Sequence, residues 1–154
     1  MSDDLITIRS VLESCVRREE MSVRLYDRAL GAVKDPAARA VLQTLRDEEA
    51  EHQRLLAQAL KEGRTDLLGR KEVSEKTLSV IPPAEIALDK NAGPLDILTF
   101  AILHEEKSMD YFSRYVDAFR GTRLGRLFER LRRDEESHRQ KLEVEFQRAS
   151  AIKR

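Results

Sequence analysis

Apolar residues recur at steps of three and four along four long segments of this chain, and this pattern constrains the fold more than any other feature. The spacing predicts helices over about 3–33, 36–62, 94–119 and 123–150. The pairs Asp35-Pro36 and Gly121-Thr122 separate consecutive helices, and each is typical of a helix stop followed by a cap. Two tight helical hairpins joined by a long crossover connection are the expected result, which is an all-α four-helix bundle.

The connection between the hairpins has no sustained periodicity. Gly63 is the expected left-handed terminator of the second helix, a helical turn or two is expected over 73–80, and Pro82-Pro83 breaks the chain further on. Residues 1–154 are therefore interpreted as a single domain, with hairpin one at about 3–62, the crossover at about 63–93 and hairpin two at about 94–150. Such a crossover is long enough to stay within one chain or to exchange hairpins between two chains.

Composition narrows the class of protein. Charged residues make up 36% and aromatic residues 5% of the chain, which favours amphipathic helices over a β-sheet. Basic and acidic residues number 28 each, so no overall field attracts nucleic acid or an anionic membrane. The single cysteine, Cys15, excludes an internal disulfide and a four-thiolate metal site, and no apolar run is long enough to cross a membrane. We expect a cytoplasmic protein that binds neither nucleic acid nor membranes.

The two predicted hairpins repeat their unusual residues at one common offset of 86. Identity between the halves is low, but every acid and histidine on the inner apolar stripes is repeated. The matched pairs are Glu19 with Glu105, Tyr26 with Phe112, Glu49 with Glu135, and His52 with His138. On the third helix the predicted inner face is formed by Leu95, Leu98, Ile102, Glu105, Met109, Phe112 and Val116.

The repeat predicts a metal centre inside the bundle. A glutamate and a histidine three residues apart project from the same side of a helix, so each Glu-x-x-His motif acts as a unit. Four buried carboxylates would each cost several kcal/mol unless they were neutralised. Two metal ions solve this problem when two helices each give one Glu and the other two each give a Glu-x-x-His. The predicted metal ligands are Glu19, Glu49, His52, Glu105, Glu135 and His138.

These motifs resemble the ferritin-like superfamily of carboxylate-bridged dimetal proteins and, within it, the rubrerythrin group. They stand here as Glu19 with Leu25-Tyr26, Asp47-Glu48-Glu49-Ala50-Glu51-His52, Glu105-Glu106-Lys107-Ser108 with Tyr111-Phe112, and Asp134-Glu135-Glu136-Ser137-His138. The resemblance implies a ferritin-like bundle in which Glu49 and Glu135 bridge the two metals. It further implies that Glu19 and His52 bind one ion. Glu105 and His138 would bind the other.

The chain departs from the rubrerythrin pattern at two points. It lacks the four cysteines of a rubredoxin-like module, so electrons would come from a separate donor protein or from substrate ferrous iron. Ser108 stands where many rubrerythrins carry a second glutamate on the third helix. The remaining symmetric set resembles bacterioferritin-type ferroxidase centres and manganese catalases as much as it resembles rubrerythrin.

Carboxylates and imidazoles together suit iron, with manganese as the alternative metal. The predicted function is a diiron oxidoreductase in which a diferrous centre reacts with H₂O₂ or O₂, each ion giving one electron. Three alternatives stay open: iron storage or delivery, a manganese-catalase-like enzyme and, last, a metal-free interaction bundle. Because few residues follow the fourth helix, we expect a homodimer in preference to a large shell.

The side chains next to the predicted ligands are interpreted mainly as structural. Tyr26 is core packing or a hydrogen-bond donor to a metal ligand. Cys15 is expected to be a small buried apolar group. The residues assigned to solvent, a subunit neighbour or surface pairing are Glu20, Glu106, His104, Glu48 and Asp134, the last two with contact to the histidines as the alternative.

Overall fold

A computed structural model describes residues 3–62 and 91–152, which form four α-helices and no strand. The helices are α1 (Asp3–Ala32), α2 (Pro36–Glu62), α3 (Pro94–Ala118) and α4 (Arg123–Ile152). The prediction of an all-α four-helix bundle is confirmed, and helix bounds agree to within one or two residues where they are described. The expectations for Gly63, for the short helix at 73–80 and for Pro82-Pro83 lie outside the described residues. Among the four helices, none combines the length and hydrophobicity that a bilayer-spanning segment needs.

The turn between α1 and α2 is fixed by the side chain of Asp35. The backbone N–H of Ala38 donates to Asp35 Oδ2 at 2.9 Å, which satisfies one of the unpaired donors at the start of α2. Pro36 occupies the first position of the helix, where its missing N–H costs nothing. The predicted cap is therefore present as the sequence indicates.

The turn between α3 and α4 depends on two glycines and a threonine. Gly121 has a φ of 81°, in the left-handed region that glycine adopts without strain. The N–H of Gly125 donates to Thr122 Oγ1 at 3.0 Å, so Thr122 caps α4. A Cβ atom at Gly125 would lie 2.2 Å from the Phe119 carbonyl oxygen. A larger residue at position 125 would therefore force the two helix ends apart.

Within each hairpin the two helices pack along their length, and the hairpins meet through α1 with α3 and through α2 with α4. Two apolar clusters fill the bundle, one on either side of a central polar layer. The first includes Leu12, Leu56, Phe112, Phe119 and Phe128, and the second includes Tyr26, Leu42, Leu45, Leu98 and Leu142. These clusters enclose the predicted ligands between two apolar blocks.

The buried face of α3 differs from the predicted one. Leu98, Glu105 and Phe112 are buried as expected, but Leu95, Ile102, Met109 and Val116 are only half-buried. On the other side of the helix, Ile97, Ala101, His104, Ser108, Tyr111 and Tyr115 are buried instead. The reason is that α3 contacts α4 on one side and α1 on the other, so its buried arc is wider than one apolar stripe.

Candidate metal centre

All six predicted ligands lie together in the central polar layer, and each is at most 1% exposed. Their ligand atoms form two overlapping groups, within each of which all atoms lie within 4.8 Å of one another. The first group contains Glu19, Glu49, His52 and Glu135, and the second contains Glu49, Glu105, Glu135 and His138. Glu49 and Glu135 belong to both groups. This arrangement suits two ions with two shared carboxylates, while the role of each residue as a ligand stays a prediction.

The two imidazoles present the same nitrogen to the cluster. His52 Nδ1 lies 3.1 Å from Glu135 Oε1 and 3.7 Å from Glu19 Oε2. His138 Nδ1 lies 2.9 Å from Glu49 Oε1. The rings stack with centroids 5.9 Å apart. Both Nδ1 atoms are therefore available on the inside of the bundle.

The outer nitrogens of the imidazoles bind carboxylates from the opposite hairpin. His52 Nε2 lies 2.9 Å from Asp134 Oδ2, and His138 Nε2 contacts Glu48 Oε2. Of the two interpretations of Glu48 and Asp134, contact with the histidines is present, because each acid reaches a buried histidine across the α2–α4 seam. Such outer contacts fix the ring orientation and keep the inner nitrogen directed into the cluster.

Four carboxylate oxygens in the cluster have no hydrogen-bond partner although they are buried: the Oε2 atoms of Glu19, Glu49, Glu105 and Glu135. Burial raises the pKa of Glu49 and of Glu105 well above the usual range, and the charge of Glu135 adds to the effect. Burial also acts to raise the pKa of Glu135, but hydrogen bonds from Glu105 and both histidines outweigh it and hold that pKa low. Without cations, the cluster therefore retains protons on some carboxylates while others are ionised.

The histidines respond in the opposite sense to their burial. Desolvation alone would lower the pKa of His52, but hydrogen bonds to Asp134, Glu135 and further carboxylates raise it far above its ordinary value. His138 behaves in the same way, because its partners are also carboxylates. The two imidazolium ions therefore partly neutralise the buried acids of the cluster.

Tyr26 connects the two hairpins at the cluster. Its hydroxyl donates to Glu105 Oε1, so of the two interpretations offered by the sequence the hydrogen-bond donor is present. Burial and the neighbouring Glu105 raise the pKa of Tyr26, which keeps the phenol protonated. Phe112 stands at the matching position of the other half and has no hydroxyl to give. Glu105 therefore accepts a hydrogen bond from Tyr26, whereas Phe112 offers no such bond to Glu19.

A ladder of three polar contacts joins α1 to α3 on the side of the cluster away from the histidines. Ser14 Oγ lies 2.8 Å from Tyr111 Oη, Arg18 donates to Ser108 Oγ at 3.0 Å, and Ser22 Oγ lies 2.7 Å from His104 Nε2. The residue numbers rise on one helix as they fall on the other, so α1 and α3 run antiparallel.

The prediction that His104 lies at the surface is wrong. His104 is 5% exposed and bonded to Ser22. Burial, followed by the charge of Arg18, lowers the pKa of His104 to about 4, so its ring is neutral at pH 7. Cys15, by contrast, is buried as predicted. Glu106 is exposed and Glu20 is half-buried, as expected for residues turned away from the cluster.

The repeat contained a signal for the residues that sequence analysis missed. The same offset of 86 pairs Ser22 with Ser108, Arg18 with His104, and Glu48 with Asp134. Each pair makes equivalent contacts in the structure: the basic side chain bonds the opposite serine, and the acid bonds the opposite histidine. The structural repeat therefore extends beyond the six predicted ligands.

A cleft with a volume of about 290 Å³ lies on the α2–α4 side of the cluster and reaches His52. Its lining is mainly charged: Glu48, Glu51, His52, Arg130, Asp134, Ser137 and Lys141. The imidazole side of the centre is therefore separated from the surface only by the carboxylates of Glu48 and Asp134 and their neighbours.

No protein-family model matches this chain, and no curated protein matches it. Among solved structures, it is similar to a hypothetical protein from Pyrococcus furiosus, with a TM-score of 0.68 and 19% sequence identity. The match covers 91% of this chain and 88% of that chain. At this identity the likeness shows the shared four-helix fold alone.

Proposed function

We propose that this protein is a ferritin-like dimetal protein of the rubrerythrin kind, with Glu19, Glu49, His52, Glu105, Glu135 and His138 as the ligands of two iron ions. One observation carries the proposal. Two groups of carboxylate and imidazole atoms, each compact enough for one ion, share Glu49 and Glu135 in the middle of a buried layer.

The residues fit a pair of cations on grounds of charge and hydrogen bonding. Four buried carboxylate oxygens without partners are costly in a protein interior and are what a bound cation would satisfy. Oxygen ligands with two imidazoles favour iron or manganese over softer metals. Two ions with shared carboxylates would also remove the repulsion that raises the pKa of Glu49 and Glu105.

When bound, a diferrous pair supplies two electrons for reduction of H₂O₂ to water or of O₂ to H₂O₂. The chain itself contributes the positions of the ligands. The Nε2 contacts to Asp134 and Glu48 hold both rings with Nδ1 facing inward, and the Tyr26 hydroxyl holds Glu105. The apolar clusters on either side exclude bulk water from the layer. We further propose that the reductant is a separate donor or ferrous iron, and that the protein forms homodimers.

The test is anaerobic loading with ferrous iron followed by elemental analysis and stopped-flow oxidation by H₂O₂ and by O₂. Two ions per chain and faster oxidation by H₂O₂ would support a rubrerythrin-like peroxidase. Faster oxidation by O₂ would support a ferroxidase in iron handling, and rapid disproportionation of H₂O₂ by the manganese-loaded protein would support a catalase. Protein that retains no metal under any of these conditions would refute the proposal.

A further inference from the structure

One buried cation adjoins the cluster without forming an ion pair in the part of the chain whose side chains are described. Arg18 precedes Glu19 on α1 and is 4% exposed. One terminal nitrogen donates to Ser108 Oγ at 3.0 Å, and Cζ lies 4.9 Å from the centre of the Tyr111 ring. Its Nε atom is buried and has no hydrogen-bond partner. Among the described side chains, at residues 8–62 and 91–151, no carboxylate forms an ion pair with this guanidinium.

Burial of Arg18 in this way lowers the stability of the folded protein. An arginine keeps its positive charge inside proteins, and a buried charge without a partner is strongly destabilising. The ring of Tyr111 and one hydroxyl offset only part of that cost. The adjacent Glu19 forms no ion pair with Arg18, and its Oε2 lies 3.7 Å from His52 Nδ1. The guanidinium therefore has an unused donor and an unbalanced charge.

The two serines nearest to Arg18 already donate their protons to backbone carbonyls. The Ser108 hydroxyl donates to the carbonyl of His104 at 3.0 Å, and the Ser22 hydroxyl donates to the carbonyl of Arg18 at 3.2 Å. With its proton directed to that carbonyl, Ser22 accepts from His104 Nε2. Neither serine carries a negative charge, so neither can balance the charge of Arg18.

The two sides of the cluster therefore differ in charge. On the α2–α4 side, Glu48 and Asp134 bond the outer nitrogens of the histidines, and the cleft there opens to solvent. The negative charge of these two acids favours cations on this side. On the α1–α3 side, Arg18 stands among neutral hydroxyls next to Glu19, with Glu105 on the facing helix. Once cations neutralise the four glutamates, the α1–α3 side is the electropositive side of the centre.

We propose that Arg18, with Ser108 beside it, binds a small monoanion on the α1–α3 side of the loaded metal centre. This inference rests on the proposed function. The ligand class is a small monoanion such as hydroperoxide, because the guanidinium is buried and already contacts Tyr111 and Ser108. Before loading, the ionised glutamates repel an anion, so its affinity depends on the metals.

Azide is the probe, titrated against the ferric-loaded protein and followed by the azide-to-iron absorption band. Arg18→Gln should retain two metal ions but bind azide about 10- to 100-fold more weakly, as expected for loss of a charge-assisted hydrogen bond. Arg18→Lys should lie between the two, because it keeps the charge but loses the planar fork. Arg17→Gln, which alters the exposed neighbour, is the matched control and should bind azide like the wild type.

A second measurement needs no substitution in the titrated protein. In zinc-loaded protein, the ¹⁵N–¹H resonance of Arg18 Nε, assigned by its absence from Arg18→Lys, should shift and saturate as azide is added. The metal-free protein should show no such shift.

Equal azide affinity in wild type and Arg18→Gln at equal metal content would overturn this inference and leave the proposed function intact. If Arg18→Gln fails to fold, an Arg18 Nε resonance that ignores azide would overturn it just as firmly. Wild-type protein that holds no metal would instead refute the proposed function, and the anion site with it.

Discussion

Hairpin one and hairpin two contribute the same buried acid and histidine side chains to the central layer, but the neighbours of these side chains differ. Glu19 and Glu105 occupy equivalent positions, as do the two Glu-x-x-His motifs. Tyr26 donates a hydrogen bond to Glu105, whereas the equivalent Phe112 cannot donate one to Glu19. The repeated residues thus form two similar groups that could each hold an ion, and the unrepeated ones make the surroundings of those groups unequal.

A second difference lies at the α1–α3 seam. Arg18 and the equivalent His104 both bond a serine on the facing helix, but Arg18 is charged while burial keeps His104 neutral. Arg18 and His104 therefore occupy equivalent positions but carry different charges. The electric field around the cluster is less symmetric than the arrangement of its glutamates and histidines. The predictions below test the shared residues first and the differences afterwards.

The largest effect is expected from the two carboxylates that both groups share. Glu49→Ala or Glu135→Ala should remove most binding of both ions and most of the stabilisation by metal. For wild type, that stabilisation is about 4 kcal/mol at a free metal concentration a thousandfold above Kd. Elemental analysis and thermal melts with and without metal measure both quantities. The exposed Glu106→Ala is the control, and two ions retained in Glu49→Ala would contradict the shared arrangement.

Replacing one histidine should affect one ion position more than the other. His52→Ala should reduce the metal content from two ions to about one, and His138→Ala should do the same at the other position. Each histidine belongs to one group only, which is the physical reason for the partial loss. Spectra of cobalt-loaded variants should then differ, because Tyr26 supports only the position next to Glu105. Complete loss of metal in both variants would show that the two positions are not separable.

Metal binding should become tighter as the pH rises. Glu49 and Glu105 have raised pKa values and must release their protons to bind a cation. Affinity should therefore increase roughly tenfold per pH unit for each proton displaced. Calorimetric titrations in buffers with different ionisation enthalpies count those protons. Affinity that is constant between pH 6 and 8 would contradict the assignment.

The metal-free protein should show the opposite trend in stability. A group whose pKa is raised by folding stabilises the native state at low pH, and that contribution is lost as the pH rises through the raised value. Glu49, Glu105 and both histidines share this sign. The melting temperature without metal should therefore fall between pH 6 and 8, whereas the loaded protein should change much less.

Tyr26→Phe should make the two hairpins more alike. Loss of the hydroxyl removes the hydrogen bond to Glu105, with an expected cost of about 1 kcal/mol to folding stability and a few-fold change in affinity for the neighbouring ion. Phe112→Tyr is the complementary variant in the other half. If the binding constants for the first and second metal ion become more similar in Tyr26→Phe, the Tyr26 hydroxyl is a cause of the difference between the hairpins. Constants equal to those of the wild type would contradict this.

Ser108→Glu should have the smallest effect on metal content. The introduced carboxylate is expected to pair with Arg18, which already contacts Ser108, and therefore not to become a further ligand. Two ions should remain, the ratio of H₂O₂ to O₂ oxidation rates should change little, and azide should bind more weakly. Ser108→Gln controls for size in this buried position. A raised peroxide preference would instead show that the missing rubrerythrin glutamate limits peroxide use.

The sequence by itself determined the helices and the composition of the centre. Apolar spacing, Asp35 and Thr122 fixed the helices and both hairpin turns, because caps and periodicity act within a few residues of one another. The repeat selected the six buried Glu and His residues, because unneutralised acids on an apolar stripe are too costly to occur in pairs by chance.

Tertiary structure alone decided how the hairpins face each other. Helical periodicity gives the direction of a side chain around its own axis, but not the rotation or register of that helix against a neighbour. The contacts of Glu48 with His138, of Tyr26 with Glu105 and of Arg18 with Ser108 join residues 79 to 90 positions apart, so they depend on that register. For the same reason His104, which carries no local motif, lies in the buried seam although its own sequence neighbourhood gave no sign of it.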